Sequence, residues 1–142
     1  GGEFCAFVRD EVPAYRTYEL SVDSADPAGI AAWWGEVFGV PVRNEGQPWS
    51  WISDVPGMPF ESMVFAPVPE PKTVKNRIHL DLLPQADDQQ AELARLTALG
   101  ARPLHQITLP PPALPPGVAA VRQTTFADPE GNEFDLVTWQ PE

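Results

Sequence analysis

Trp49 and Trp51 stand two residues apart in "QPWSWIS", a spacing that sends both rings to one face of an extended strand. Such a pair can stack on a planar or apolar ligand, or it can simply cover a sheet face; Phe60, Met63 and Phe65 would extend the same apolar wall. Trp33 and Trp34 lie in a helical pattern and read as core. Arg77 and Arg122 can hold an anionic ligand or pair with surface carboxylates, and His105 and Lys75 read as surface residues. The chain also carries imidazole and carboxylate groups, donors that suit iron(II), manganese, nickel or zinc, although linear spacing does not assemble them into a site. No Ser-His-Asp order, phosphate-cradling glycine loop or cysteine nucleophile competes with these features. The single cysteine, Cys5, excludes an intrachain disulfide framework and a cysteine-rich zinc site.

Twenty acidic residues against nine basic ones give a formal charge of -11, which repels nucleic acid and anionic membrane surfaces. A length of 142 residues, 43% of them hydrophobic, suits one core-bearing domain. No apolar run reaches the roughly 18 residues of a membrane span, and the first residues lack the pattern of a signal peptide. A cytoplasmic protein is the expectation.

Two segments set the positions of the candidate groups. "YRTYELSVD" alternates like a strand, and residues 27–38 form a helix after the cap Asp26, with Ile30, Trp33, Trp34, Val37 and Phe38 as its apolar stripe and Gly39 as its stop. "PVRNEG", "SWISDV" and "ESMVFAPV" follow as short strands. The second half repeats this order. "RIHLDLL" reads as a strand, residues 87–99 as a helix striped by Leu93, Leu96 and Leu99, and "ARPLHQITL", "AAVRQTTFAD" and "NEFDLVTW" as three strands, the last two divided by "DPEGN". A period near 60 residues predicts an α+β fold of two βαβββ modules, about 14–70 and 76–140, within a domain spanning 14–142. "LPPPALPPG" is too stiff and donor-poor for a central strand and reads as a loop.

The joined blocks "VPEPKTVKNRIHLDL", "LTALGA" and "FADPEGNEFDLV" resemble the glyoxalase-like branch of the vicinal oxygen chelate superfamily, which includes glyoxalase I, bleomycin-resistance proteins and extradiol dioxygenases. The resemblance covers about residues 15–139 and implies that the modules form a cup-shaped, mixed-sheet half-barrel. It also implies metal ligands on the first and last strands of each module, which places Glu19, His79 and Asp135 as ligands, with Glu19 and Asp135 as catalytic carboxylates. The fourth position falls on Val64 or Ala66, which cannot ligate, and Glu61 comes too early. Trp49, Trp51, Phe65 and Arg77 are then the candidate ligand-binding residues.

"GGEFCAFV" at the start echoes "GNEFDLVT" near the end. Residues 1–13 therefore read as an extra strand and linker, either the remainder of an upstream module in a tandem protein or a leftover segment. An unpaired edge strand there, together with the resemblance, leads to a homodimer as the expectation. Three functions fit: a metal-assisted lyase, isomerase or dioxygenase acting on vicinal oxygens; a metal-free protein that sequesters an aromatic or glycopeptide-like compound; and an interaction domain with a degenerate cavity.

Overall fold

Polar and apolar alternation, broken by glycine and proline, builds the same series of elements twice. The computed structural model describes residues 17–84, 89–109 and 117–141, so Cys5 and the expected strand and linker over 1–13 lie outside the described residues. The chain divides into two units, Gly1–Pro69 and Glu70–Glu142. The first contains β1 (Glu19–Ser24), α1 (Pro27–Phe38), β2 (Val42–Arg43), β3 (Ser50–Ser53) and β4 (Ser62–Pro67). The second contains β5 (Asp81–Leu82), α2 (Gln89–Ala98), β6 (Arg102–Thr108), β7 (Val118–Ala127) and β8 (Glu133–Pro141). Their sheets run β1-β4-β3-β2 and β5-β8-β7-β6. In each, the first strand lies parallel to the last and the remaining pairs are antiparallel. The expected α+β class and both βαβββ modules are present.

In the first unit, Asp26 caps α1 by accepting from the Gly29 N–H at 3.1 Å. Pro27 fills the first turn, and Gly39 ends the helix in the left-handed region at φ 68°. The buried stripe Ile30, Trp33, Trp34 and Val37 packs on β3 and β4, whose Ile52, Met63 and Phe65 are also buried. Trp33 meets Trp34 edge-on at 4.9 Å, and Trp34 stacks on Phe38 at 5.3 Å. Gly35 is required here because a Cβ would come within 2.9 Å of the Val40 carbonyl oxygen. Strand pairing sorts the other side chains by face: Leu20 aligns with Met63 and Val22 with Phe65, whereas Glu19 aligns with Ser62 and Trp51 with Val64. Phe65 therefore lies on the face opposite Trp51. It is fully buried in the α1 core and does not extend the Trp51 wall.

The second unit departs from expectation around β5. Only Asp81 and Leu82 of "RIHLDLL" form a strand; the backbone before them meets β8 through the Leu80 carbonyl, which accepts from the Asp135 N–H, and through side-chain bonds. The Asn76 N–H donates to Glu133 Oε2 at 2.9 Å, and the Glu133 N–H donates to Asn76 Oδ1 at 3.4 Å. Lys72 Nζ lies 3.3 Å from the same Glu133 oxygen. Burial disfavours the Glu133 carboxylate, but the N–H groups of Asn76 and of Glu133 itself, together with the Lys72 ammonium, outweigh it and hold the carboxyl below the ordinary value of 4.5. At the other side of β8, Asp128 Oδ1 accepts from the N–H groups of Glu130 and Asn132 at 3.0 and 2.8 Å. With Gly131 at φ 87°, this forms the expected "DPEGN" turn and fixes the β7–β8 register. On α2, Leu96 of the expected stripe is fully buried and Leu93 half-buried, as is Leu99 just past the helix end. Between Pro103 and His105 the β6–β7 register shifts by one residue.

Two stability predictions follow from this packing. Phe65→Ala removes a fully buried ring and should cost about 3–5 kcal/mol in urea unfolding. For Glu133, the lowered folded value means that ionisation favours folding. Its contribution should be complete above the ordinary value of 4.5 and lost as pH falls through the folded value. Urea midpoints recorded from neutral to acid pH should show Glu133→Gln less stable than the parent at neutrality, with the gap closing in acid; a gap that persists or widens in acid would contradict this.

Candidate functional site

Strand register in the second unit brings its chemistry into one line. Asp81 on β5 aligns with Asp135 on β8, Asp135 with Thr125 on β7, and Thr125 with His105 on β6, so one row of polar side chains crosses all four strands. The Asp135 N–H donates to the Leu80 carbonyl at 2.8 Å, which anchors the segment carrying His79 beside β8.

Asp135 has no solvent exposure, and its carboxylate is fully engaged. Oδ1 accepts from the Thr125 hydroxyl. Oδ2 accepts from Gln123 Nε2 at 2.7 Å and lies 2.8 Å from His79 Nδ1. The Asp81 carboxylate lies 3.6 Å from the same imidazole nitrogen. Thr125 Oγ1 also meets His105 Nε2 at 3.1 Å. Ligand-type atoms of His79, Asp81 and Asp135 all fall within 4.8 Å of one another. A carboxylate–imidazole–carboxylate set of this kind can hold a divalent cation. Two carboxylates this close repel unless an imidazolium or a cation stands between them.

Of the predicted ligands, His79 and Asp135 come together within the second unit. Asp81 joins them although sequence reasoning assigned it no role; its two-residue spacing from His79 in "HLD" was the available signal. Thr125, Gln123 and His105 carried no such signal, because only cross-strand register makes them neighbours. Arg77 is exposed in the segment before β5.

Glu19 belongs to the first unit, on β1, where it accepts from the Ser21 hydroxyl at 3.2 Å. Register places Glu19 and Ser21 on the face that carries Trp51 and Arg43, away from the α1 side. An open pocket of about 490 Å³ on this unit is lined by Tyr18, Trp51, Ser53, Phe60 and Glu61, among others. Trp51 is thus available to a ligand. Trp49 precedes β3 and is 41% exposed, its carbonyl held by Asn44 Nδ2 at 2.9 Å.

Comparison with known proteins agrees with this architecture. Residues 19–137 match the family described as "Glyoxalase-like domain". No curated protein matches the chain. Among solved structures, the oxidase ChaP-H2 superposes with TM-score 0.60 at 18% identity, covering 91% of this chain and 96% of its own. A member of the glyoxalase/bleomycin resistance protein/dioxygenase superfamily from Sphaerobacter thermophilus gives 0.59 at 18% identity, with coverages of 88% and 97%. TioX from Micromonospora sp. ML1 gives 0.53 at 20% identity, with coverages of 87% and 98%. At these identities the likeness speaks for the fold. With the family match spanning most of the sequence, the chain belongs to the glyoxalase-like domain family.

Proposed function

We propose that the chain is a small-molecule-binding protein that uses a divalent metal, held by His79, Asp81 and Asp135, in lyase, isomerase or dioxygenase chemistry on a substrate with vicinal oxygens. The observation carrying this reading is the convergence of three ligand-type atoms within 4.8 Å around a fully buried carboxylate. When bound, the ion supplies Lewis acidity toward substrate oxygens. The protein's own groups do the rest: Asp135 is held by Thr125 and Gln123 and fixes the imidazole of His79, and the more exposed Asp81 completes the charge. Glu19 is proposed as a further ligand or as the base whose Oε1 takes a substrate proton. Iron, manganese, nickel and zinc all suit the donors.

A metal-free sequestering protein is the second reading, favoured by the pocket that Tyr18, Trp51 and Phe60 line in the first unit. Arg77 is proposed as a contact for an anionic group of the ligand. A homodimer in the cytoplasm is proposed for either reading; a monomer mass by light scattering at micromolar concentration would contradict the dimer.

The deciding experiment is elemental analysis of tag-free protein, followed by calorimetric titration with iron(II), manganese, nickel and zinc. The parent should bind one ion, and His79→Ala and Asp81→Asn should bind it more weakly by more than the roughly 10–100-fold that loss of an outer partner costs. Asp81 has a 60% exposed side chain, so its substitution leaves the core intact. Glu19→Gln tests the remaining ligand position. If none of the four ions prefers the parent over His79→Ala, the metal reading fails; tryptophan quenching by an aromatic ligand, lost in Trp51→Phe, would then support sequestration.

A further inference from the structure

The chain contains two histidines, and both are linked to the same buried carboxylate, His79 directly and His105 through the Thr125 hydroxyl. Donor and acceptor rules fix how. Thr125 has one hydroxyl proton, and the Asp135 carboxylate can only accept, so that proton goes to Asp135 Oδ1. The contact between Thr125 Oγ1 and His105 Nε2 at 3.1 Å then requires the imidazole to donate. On the other side, His79 Nδ1 lies 2.8 Å from Asp135 Oδ2 and must also donate. Neutral His105 therefore carries its proton on Nε2 and neutral His79 carries it on Nδ1. The two rings are opposite tautomers.

This convergence excludes a proton relay along the row. A relay needs one end to give a proton while the other takes it, and here both ends present N–H groups inward, joined by the amide of Gln123 at 2.7 Å. What converging donors do is orient an acceptor. With Oδ1 held by Thr125, the carboxylate plane is set, Oδ2 is turned to His79, and the His79 proton is kept on Nδ1. In the ion-free protein Nε2 of His79 is then the ring's acceptor, and an ion held by His79, Asp81 and Asp135 together takes the place of the Nδ1 proton.

We propose that His105 and Thr125 form a positioning arm that sets the orientation of Asp135 and, through it, the tautomer of His79. Neither residue ligates an ion or touches substrate in this scheme. The arm's effect on metal affinity rests on the metal reading above, whereas its effect on the tautomers does not.

The test uses the full chain, labelled with nitrogen-15 and stripped of metal, with long-range proton–nitrogen spectra recorded at a pH where both rings are neutral. Two histidines give two ring systems, assigned with His79→Gln and His105→Gln. The parent should show one Nδ1–H ring, His79, and one Nε2–H ring, His105. Thr125→Val, which keeps the side-chain shape but removes the hydroxyl, should shift both rings toward mixed tautomers, and Thr125→Ser should restore both. His105→Ala removes only the outer end of the arm, on a strand whose residues are all exposed, and should shift the His79 signals in a protein that stays folded. A parent His105 protonated on Nδ1, or His79 signals unmoved by both Thr125→Val and His105→Ala, would overturn the proposal. Zinc and manganese affinity should fall roughly 10–100-fold in Thr125→Val and recover in Thr125→Ser. A parent that binds neither ion defeats the metal reading and leaves the tautomer result to decide the arm by itself.

Discussion

A carboxylate with no exposure to water must be matched atom by atom with donors, and in this protein that requirement falls on Asp135. Its three partners come from two places: Thr125 and Gln123 from β7, and His79 from the segment leading into β5. The β7–β8 register, the Asp128 turn and the Asn76–Glu133 pairing can each be understood as conditions for bringing those donors to one place. A slip of one residue in the β7–β8 hairpin would turn Thr125 and Gln123 to the opposite face and leave the carboxylate without them.

The first module answers a different demand. Its helix needs an apolar sheet face, and Ile52, Met63 and Phe65 supply it. Because strand side chains alternate, filling that face with core residues frees the other for Glu19, Ser21, Arg43 and Trp51. Polar and aromatic groups are thus gathered by the same alternation that builds the core. One module offers an aromatic-lined pocket and the other a cluster of ligating groups, so a shared topology carries two unlike chemistries.

Much of this was legible in the sequence, for physical reasons. Helix α1 announces itself through its cap, its apolar stripe and Gly39, and the twofold order of elements follows from punctuation by glycine and proline. His79 and Asp135 were reached through motif resemblance. What stayed hidden depends on pairing between strands. Thr125 is ten residues from Asp135 and His105 thirty, and nothing local marks them as neighbours. Asp81 alternates with His79 but falls outside the family's ligand pattern. Phe65 and Trp51 look alike in sequence as aromatic residues of adjacent strands; the register that pairs Phe65 with Ser50 and Trp51 with Val64 separates them. The brevity of β5 has no local signal either, since "RIHLDLL" alternates as a longer strand would.

The irregularity in β6 has a bearing on how such a row could arise. Pro103 pairs with Phe126, and the next aligned pair is His105 with Thr125, so Leu104 is the surplus residue. Were Leu104 instead paired with Thr125 in unbroken register, His105 would align with Thr124 and turn to the side of Phe126, away from Asp135. The bulge that takes Leu104 out of the pairing therefore keeps the second histidine connected to the first. The surplus residue itself is expendable: a chain one codon shorter at Leu104 would close the bulge and keep His105 opposite Thr125, and an alignment scored column by column would record only a gap.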